Sequence, residues 1–446
     1  MSSNDISSRR ILIVVQNLPV PLDRRVWLEA SSLVNAGYQV SVICPTGRGW
    51  DKEYEVIDNV HIYRFPAPPE AHSGAVAYAR EYSHSLWHFF RLARKVRKER
   101  GFDVIHGCNP PDLIFLLGLR YRLNGVKYLF DHHDVCPELF EAKFDKKGLL
   151  YKVMLIWEWM TFKSAHVSIA TNESFKKIAI RRGGMKPEDV FIVRSAPRIE
   201  NFHIQDPDPE LRAKAGTLIG YVGVIGQQEG MDLLIQAAKH LTENMGRTDI
   251  HFYICGFGPE LPEVQADAER NGVAQYFTFT GAVYDADLLR YLNSVDIGIA
   301  PDPKNAMNDI STMNKVMEYM TLEKPVVQFD MTEGRASAEE ASLYAKNNDP
   351  VQMAEKIAEL MDDPCKRAEM GKIGRKRVLE KLSWDQSSRD RSPTRSSRSV
   401  LGSRRCARGC GSTTAPGPAP TGPPRTRRPP PDPPTSRSRG GAPVTT

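Results

Sequence analysis

Two successive series of short apolar runs, alternating with amphipathic segments, constrain this chain more than any other feature. The first holds ILIVV, YQVSVICP, VHIYRF, DVIHG, VKYLFD, HVSIAT and VFIVRS, with helical stretches between most of them, including Arg25–Asn35. The second holds TLIGYVG, IHFYICG, YFTFTG, VDIGIA and KPVVQF. Buried strands alternating with helices imply a parallel sheet covered on both faces. Between the series, RSAPRIENFHIQDPDPE is polar, Pro-rich and aperiodic, which reads as a linker. The expectation is α/β: two doubly wound, Rossmann-like domains, 1–197 and 216–386, joined by 198–215 and facing each other across a cleft. Ligands of such sheets sit at the C-terminal strand ends. In the first domain the loops there are NLPVPLDRR, HGCNPPD and DHHDVCPE.

Within the second series, APDPKNAMNDISTMNKVMEYMTLEKPVVQ predicts a helix over about Thr312–Leu322. Met313, Val316, Met317 and Met320 recur at helical spacing and form an apolar face. At roughly 100° per residue, Ser311, Lys315 and Glu318 fall opposite it. Ser311 or Thr312 is placed to cap the first turn. Free N–H groups, the positive dipole end and the Lys315 ammonium together suit a phosphate. Glu318, one turn deeper, suits sugar hydroxyls. The bland alternative is a packed helix with a solvated outer face. Two glycine turns, at Gly223 and Gly226 and at Gly256 and Gly258, end the first two strands of this series and allow close backbone approach to a phosphate. In the first domain, His132, His133 and Asp134 of DHHDVCPE are expected to face the cleft. Two adjacent histidines and an aspartate fall short of a metal-ligand pattern, so no metal site is expected.

Charge excludes one class of partner. The chain is 446 residues long with 60 basic and 54 acidic residues, a net of +6. From Ser387 onward lie 12 arginines, no lysine and two aspartates, which leaves 48 basic against 52 acidic residues in the body. The body is therefore acidic by about 4, and nucleic-acid binding loses its support. The 387–446 segment lacks Phe, Trp, Tyr, Ile and Lys and holds 12 of the 32 prolines. Such a stretch cannot bury enough apolar surface to fold. It reads as a disordered tail, either natural or the product of a shifted reading frame that truncates the charged terminal helix Pro364–Leu382. Seven cysteines without a CxxC pair point to neither zinc nor a disulfide framework. MSSNDISSRR runs directly into ILIVV, too short for a signal-peptide core, and no apolar run approaches membrane-spanning length. A cytoplasmic protein is expected. The segment Tyr78–Glu99 places Tyr82, Leu86, Phe89, Phe90 and Ala93 on one face and Arg91, Lys95 and Lys98 on the other. It reads as a crossover helix, with contact at the inner face of a membrane as the alternative.

Taken in order, DRRVWLEASSLVNAGYQVSVICP, HHDVCPE, GYVGVIG, GFGP and NKVMEYMTLEKPVV resemble a family-4 glycosyltransferase of GT-B architecture, over about Arg9–Trp384. The resemblance implies retaining, metal-independent transfer from a UDP- or GDP-sugar, without another cofactor, to a glycan, lipid-linked or small-molecule acceptor. It implies that the second domain binds the donor through Gly223, Gly226, Gly256, Gly258, Ser311, Thr312, Asn314, Lys315 and Glu318. By the same resemblance Glu318 holds the ribose, Lys315 the diphosphate, and His133 sits beside the transferred sugar, with Asp23, Arg24 and Asp134 on the acceptor side. The chain departs from the family pattern in three ways. VPLDRR replaces a Gly-Gly turn, Val224 and Glu229 replace an arginine and a lysine, and Ile310 stands where a first glutamate is usual. A nucleotide-sugar epimerase and a noncatalytic nucleotide-sugar-binding subunit are the alternative readings.

Overall fold

The computed structural model describes residues 9–68, 75–144, 148–384 and 386. The tail expected to be disordered, 387–446, lies outside the described residues. The first sheet contains β1 (Arg10–Val14), β2 (Gln39–Pro45), β3 (Tyr54–Ile57), β4 (Val60–Phe65), β5 (Val104–Cys108), β6 (Lys127–His132), β7 (Val167–Ala170) and β8 (Val190–Ile192). Their order is β3-β4-β2-β1-β5-β6-β7-β8. All pairs are parallel except β3 with β4. The second sheet contains β9 (Thr217–Val224), β10 (Ile250–Phe257), β11 (Phe277–Gly281), β12 (Ile297–Ala300), β13 (Val326–Phe329) and β14 (Ser342–Ala345). Its order is β11-β10-β9-β12-β13-β14, all parallel. The expected doubly wound pair is therefore present. The sequence pattern missed β3 and β14, both short edge strands. β3 is only half covered, so its residues carry no buried run.

Strand alternation feeds two cores per sheet. In β1, Leu12 and Val14 pack with Phe89, Phe115 and Phe130 on one face, while Ile11 and Ile13 pack with Val26, Leu33 and Val40 on the other. Burial of each such side chain stabilises by about 1.5–3 kcal/mol. The chain order reverses beside β1 in the first sheet and beside β9 in the second. Crevices open at such switch points, and these two carry the loops Gln16–Asp23 and Val224–Gly230.

Crossings between the sheets are short and specific. The helix Pro364–Arg377 continues through a π-helical turn, Val378–Leu382. Leu382 packs into the second domain. Two residues later Trp384 is buried in the first domain, its indole N–H 3.0 Å from Ser32 Oγ. The crossing back to the first domain is thus made before the tail begins. Further ties run from Asn172 Nδ2 to Ile310 O (2.9 Å) and Thr312 Oγ1 (3.0 Å), and from Ser174 Oγ to Glu333 Oε1 (2.6 Å).

Candidate active site

The central helix spans Asn314–Thr321, shorter than expected, with Val316, Met317 and Met320 buried as the spacing required. Met313 is its N-cap residue and supplies no side-chain bond. Neither expected cap forms. Ser311 donates its hydroxyl to Met307 O at 2.7 Å, and the Thr312 hydroxyl accepts from Asn172. Both hydroxyls find nearer partners in the preceding turn and the facing domain.

Lys315 differs most from expectation. It does not stand on an outer face with Ser311 and Glu318 but turns inward, its side chain only 9% exposed. Its Nζ lies 2.8 Å from Glu229 Oε2 and 2.9 Å from Asp302 Oδ1, over the ring of Tyr221. Burial opposes the ammonium, yet Asp302, Tyr221 and Glu229 outweigh it and hold the Lys315 pKa well above its ordinary value. Burial pushes the Asp302 carboxyl up to about 6, with Glu229 adding to the rise and Lys315 opposing it. For Glu229 burial is outweighed by Lys315, and the carboxyl stays below its ordinary value. Asp302 is thus the carboxylate that takes a proton first. The sequence reading missed Asp302, although a carboxylate two residues beyond β12 is a strand-end signal.

Beside this cluster a cavity of about 350 Å³ opens between the domains. Its lining includes Gly223, Gly256, Thr312, Asn314, Lys315 and Glu318 from the second domain and Arg24 from the first. A neighbouring cavity of about 270 Å³ shares Arg24, Asn314 and Glu318 and continues along Arg25 and Ser195–Arg198. Glu318 Oε1 lies 3.4 Å from Arg24 Nη1. Burial raises the Glu318 carboxyl, and Arg24 and Lys315 offset part of that rise. Glycine is required at two lining positions. A Cβ on Gly256 would sit 2.0 Å from the Gly223 carbonyl oxygen, and Gly223 itself has φ +153°. Gly258 presses against the Ile225 backbone, and Gly226 faces a different depression with Met231 and Asp232. Neither Gly226, Gly258 nor Ser311 is among the lining residues of the cavity at Glu318. Ile310 packs into the aromatic core of the first domain, so at that position an apolar contact across the domains replaces a carboxylate.

The facing loop of the first domain is built on Asp131. Its Oδ2 lies 2.8 Å from His133 Nε2 and 3.1 Å from His106 Nε2, and its Oδ1 accepts from Arg25 Nη2 at 2.8 Å. Burial works against the Asp131 charge, but Arg25 and His133 keep the carboxyl well below its ordinary range. Glu29 is the opposite case, raised by burial and then by Asp131, so it is the protonated member. Glu29, His106, Cys108 and Asp131 lie close enough to share a metal. Arg25 touches both carboxylates and already brings the positive charge that a cation would supply. His133 is partly exposed, and its backbone N–H donates to Asn109 Oδ1 at 2.7 Å. His132, expected to face the cleft, is fully buried among Phe130, Phe162 and Phe175 because β6 side chains alternate between faces. Burial depresses its pKa to about 3. Asp134 stands half-buried beyond His133, and Asp23 caps the helix Arg24–Asn35 through Val26 N–H.

Two doubly wound sheets with a cavity between their switch-point loops define the GT-B architecture. Residues 22–196 match Glycosyltransferase Family 4 and residues 216–363 match Glycosyl transferases group 1, together well over half of the chain. The chain belongs to the family-4 glycosyltransferases. It is 24% identical over 160 residues to 2-deoxystreptamine glucosyltransferase of Streptomyces kanamyceticus, covering 35% of this chain and 39% of that one. The match thus spans about two-fifths of that relative's length. Sucrose-phosphate synthase from Thermosynechococcus elongatus superposes with a TM-score of 0.71 at 16% identity, over 88% of this chain and 99% of that one. Anabaena HepE in complex with UDP gives 0.64 at 13% identity, over 87% and 100%. At such identities the two structures establish the fold.

Proposed function

We propose that this glycosyltransferase moves a sugar from a UDP- or GDP-sugar, with retention of anomeric configuration and without a metal, to a glycan, lipid-linked or small-molecule acceptor. The observation that carries the donor reading is the Glu318 carboxylate in the wall of a cavity floored by Gly223 and Gly256. A carboxylate there accepts from ribose hydroxyls, and the glycines admit a phosphate close to backbone. HepE, of the same fold, is described in complex with UDP. Loss of the nucleoside diphosphate builds charge on phosphate oxygens. The uncapped first-turn N–H groups of Asn314–Thr321 are placed to stabilise it. His133, held by Asp131 and outside the lining of both cavities, is assigned to the transferred sugar on the family resemblance, and the acceptor attacks from the face the diphosphate leaves. A panel of nucleotide-sugars, with and without EDTA, tests this by product release and the anomeric signal of the product. Transfer abolished by EDTA, or an inverted product, would refute the corresponding part. A noncatalytic donor-binding subunit is favoured by one observation, the neutralised Lys315. Binding without turnover across acceptors would decide for it.

We also propose a lipid surface as the place where the acceptor is met. No helix among the described residues is long and apolar enough to cross a membrane. The helix Leu149–Ser164 nevertheless leaves Leu149, Ile156, Trp159 and Met160 exposed. Lys152 and Lys163 are exposed on the same face. Apolar and aromatic groups between lysines suit an anionic interface. This face is better suited than Ala75–Glu99, whose Phe89, Ala93 and Val96 are spent on the core. Pelleting with phosphatidylglycerol but not phosphatidylcholine vesicles, lost on Ile156→Glu with Trp159→Glu, is the expected result.

A further inference from the structure

A nucleotide-sugar brings the two negative charges of its diphosphate into the donor cavity, and the ordinary question is which cation meets them. The charged side chains lining that cavity are Arg24, Glu229, Lys315 and Glu318. Lys315 has Asp302 and Glu229 in direct contact, so its single positive charge already faces two carboxylates. A diphosphate recruiting it would have to leave the buried Asp302 and the partly buried Glu229 without a counter-ion. Glu229, standing in the same wall, also repels phosphate.

Arg24 is in the opposite condition. It is the first residue of the helix Arg24–Asn35, and Asp23 caps that helix and fixes where the side chain departs. Its side chain is 64% exposed and reaches from the first domain to Glu318 through one 3.4 Å contact. It lines both cavities at the domain boundary. A guanidinium carries five N–H donors in a planar fork that matches phosphate oxygens two at a time. The contact to Glu318 uses one of them and leaves the rest of the fork to the cavity.

We propose that Arg24 is the cation that binds the donor diphosphate, and that Lys315 is a structural counter-ion to Asp302 and Glu229. This rests on the donor reading given above. It moves Arg24 from the acceptor side of the cleft to the donor phosphates. The donor is then held by both domains at once, its ribose on Glu318 and its diphosphate against a residue of the first domain.

The test is calorimetry on the full chain with uridine, UMP and UDP, and in parallel guanosine, GMP and GDP. In the parent, affinity rises with each phosphate for the accepted base. Arg24→Ala and Arg24→Gln are expected to weaken diphosphate binding about 10- to 100-fold, in line with loss of a charge-assisted hydrogen bond. Nucleoside affinity should stay unchanged, and Arg24→Lys should recover part of the loss. The exposed position and single long contact of Arg24 leave folding untouched, checked by circular dichroism. An Arg24→Ala protein with the parent's ratio of diphosphate to nucleoside affinity overturns the assignment. So does one that loses nucleoside and diphosphate equally. A parent that binds none of the six ligands overturns the donor reading itself, a distinct result.

Discussion

Replacing Lys315 by methionine tests whether the charge cluster beneath the donor cavity is structural. The ammonium lies 2.8 Å from Glu229 and 2.9 Å from Asp302. At an effective dielectric of about 20, each contact contributes on the order of 6 kcal/mol of direct attraction. Desolvation of three charges offsets most of that gain, but removing one partner leaves the others buried and uncompensated. The expected cost is about 3–5 kcal/mol. Its pH dependence follows from Asp302, whose carboxyl rises from 3.8 to about 6 in the folded chain. Because the folded pKa lies above the unfolded one, this group favours folding fully below about pH 4. That contribution fades as pH climbs through about 6. Without Lys315 the rise grows, so Lys315→Met should be costlier at pH 8 than at pH 5 by at least about 1 kcal/mol. Urea unfolding of parent and variant at both pH values gives the two differences. Adding Asp302→Asn to Lys315→Met should recover much of the loss at pH 8. A cost under about 1 kcal/mol at pH 8, or one independent of pH, would refute the view that this ion cluster holds the cavity floor.

Glu318→Ala should weaken nucleoside and nucleotide binding alike by about 1.5–3 kcal/mol, read by calorimetry, while unfolding midpoints hold, since the apolar stripe of its helix is untouched. Equal affinity in variant and parent would remove Glu318 from the site. His133→Ala should lower kcat with UDP binding unchanged, because His133 hangs from Asp131 and lines neither cavity at the domain boundary; full turnover would rule the residue out. Trp384→Ala should destabilise by about 3–5 kcal/mol, measured by urea unfolding, because it empties a buried site under Ser32. Deleting 387–446 while retaining Trp384 should leave stability and donor binding as in the parent, and a loss of either would show that the tail takes part.

Much of the fold was legible from local pattern. Buried parallel strands must be apolar on both faces, so ILIVV, YQVSVICP and GYVG announce themselves wherever they occur. The stripe Val316, Met317 and Met320 likewise required a helix there, and the glycines at β9 and β10 marked close backbone approach. The edge strands β3 and β14 escaped because each is only four residues long and partly covered, with no continuous buried run. In the site, the sequence named Glu318, Gly223, Gly256, Thr312, Asn314 and Arg24, which the fold does bring to one cavity. Gly226, Gly258 and Ser311 lie outside the lining of that cavity, since a glycine turn reads the same whether it faces a ligand or a neighbouring strand. The fate of charged groups was the least legible. Helical periodicity gives a direction about one axis, but Lys315 turns inward because Glu229 and Asp302, 86 and 13 residues away in the chain, wait at strand ends. His132 and His133 are neighbours in sequence, yet the pleat sends one into an aromatic core and the other to Asp131. Period and composition are properties of a segment, and the sequence alone determined what depends on them. Which charge meets which is set by the long-range packing of two sheets, and only the tertiary structure decided it.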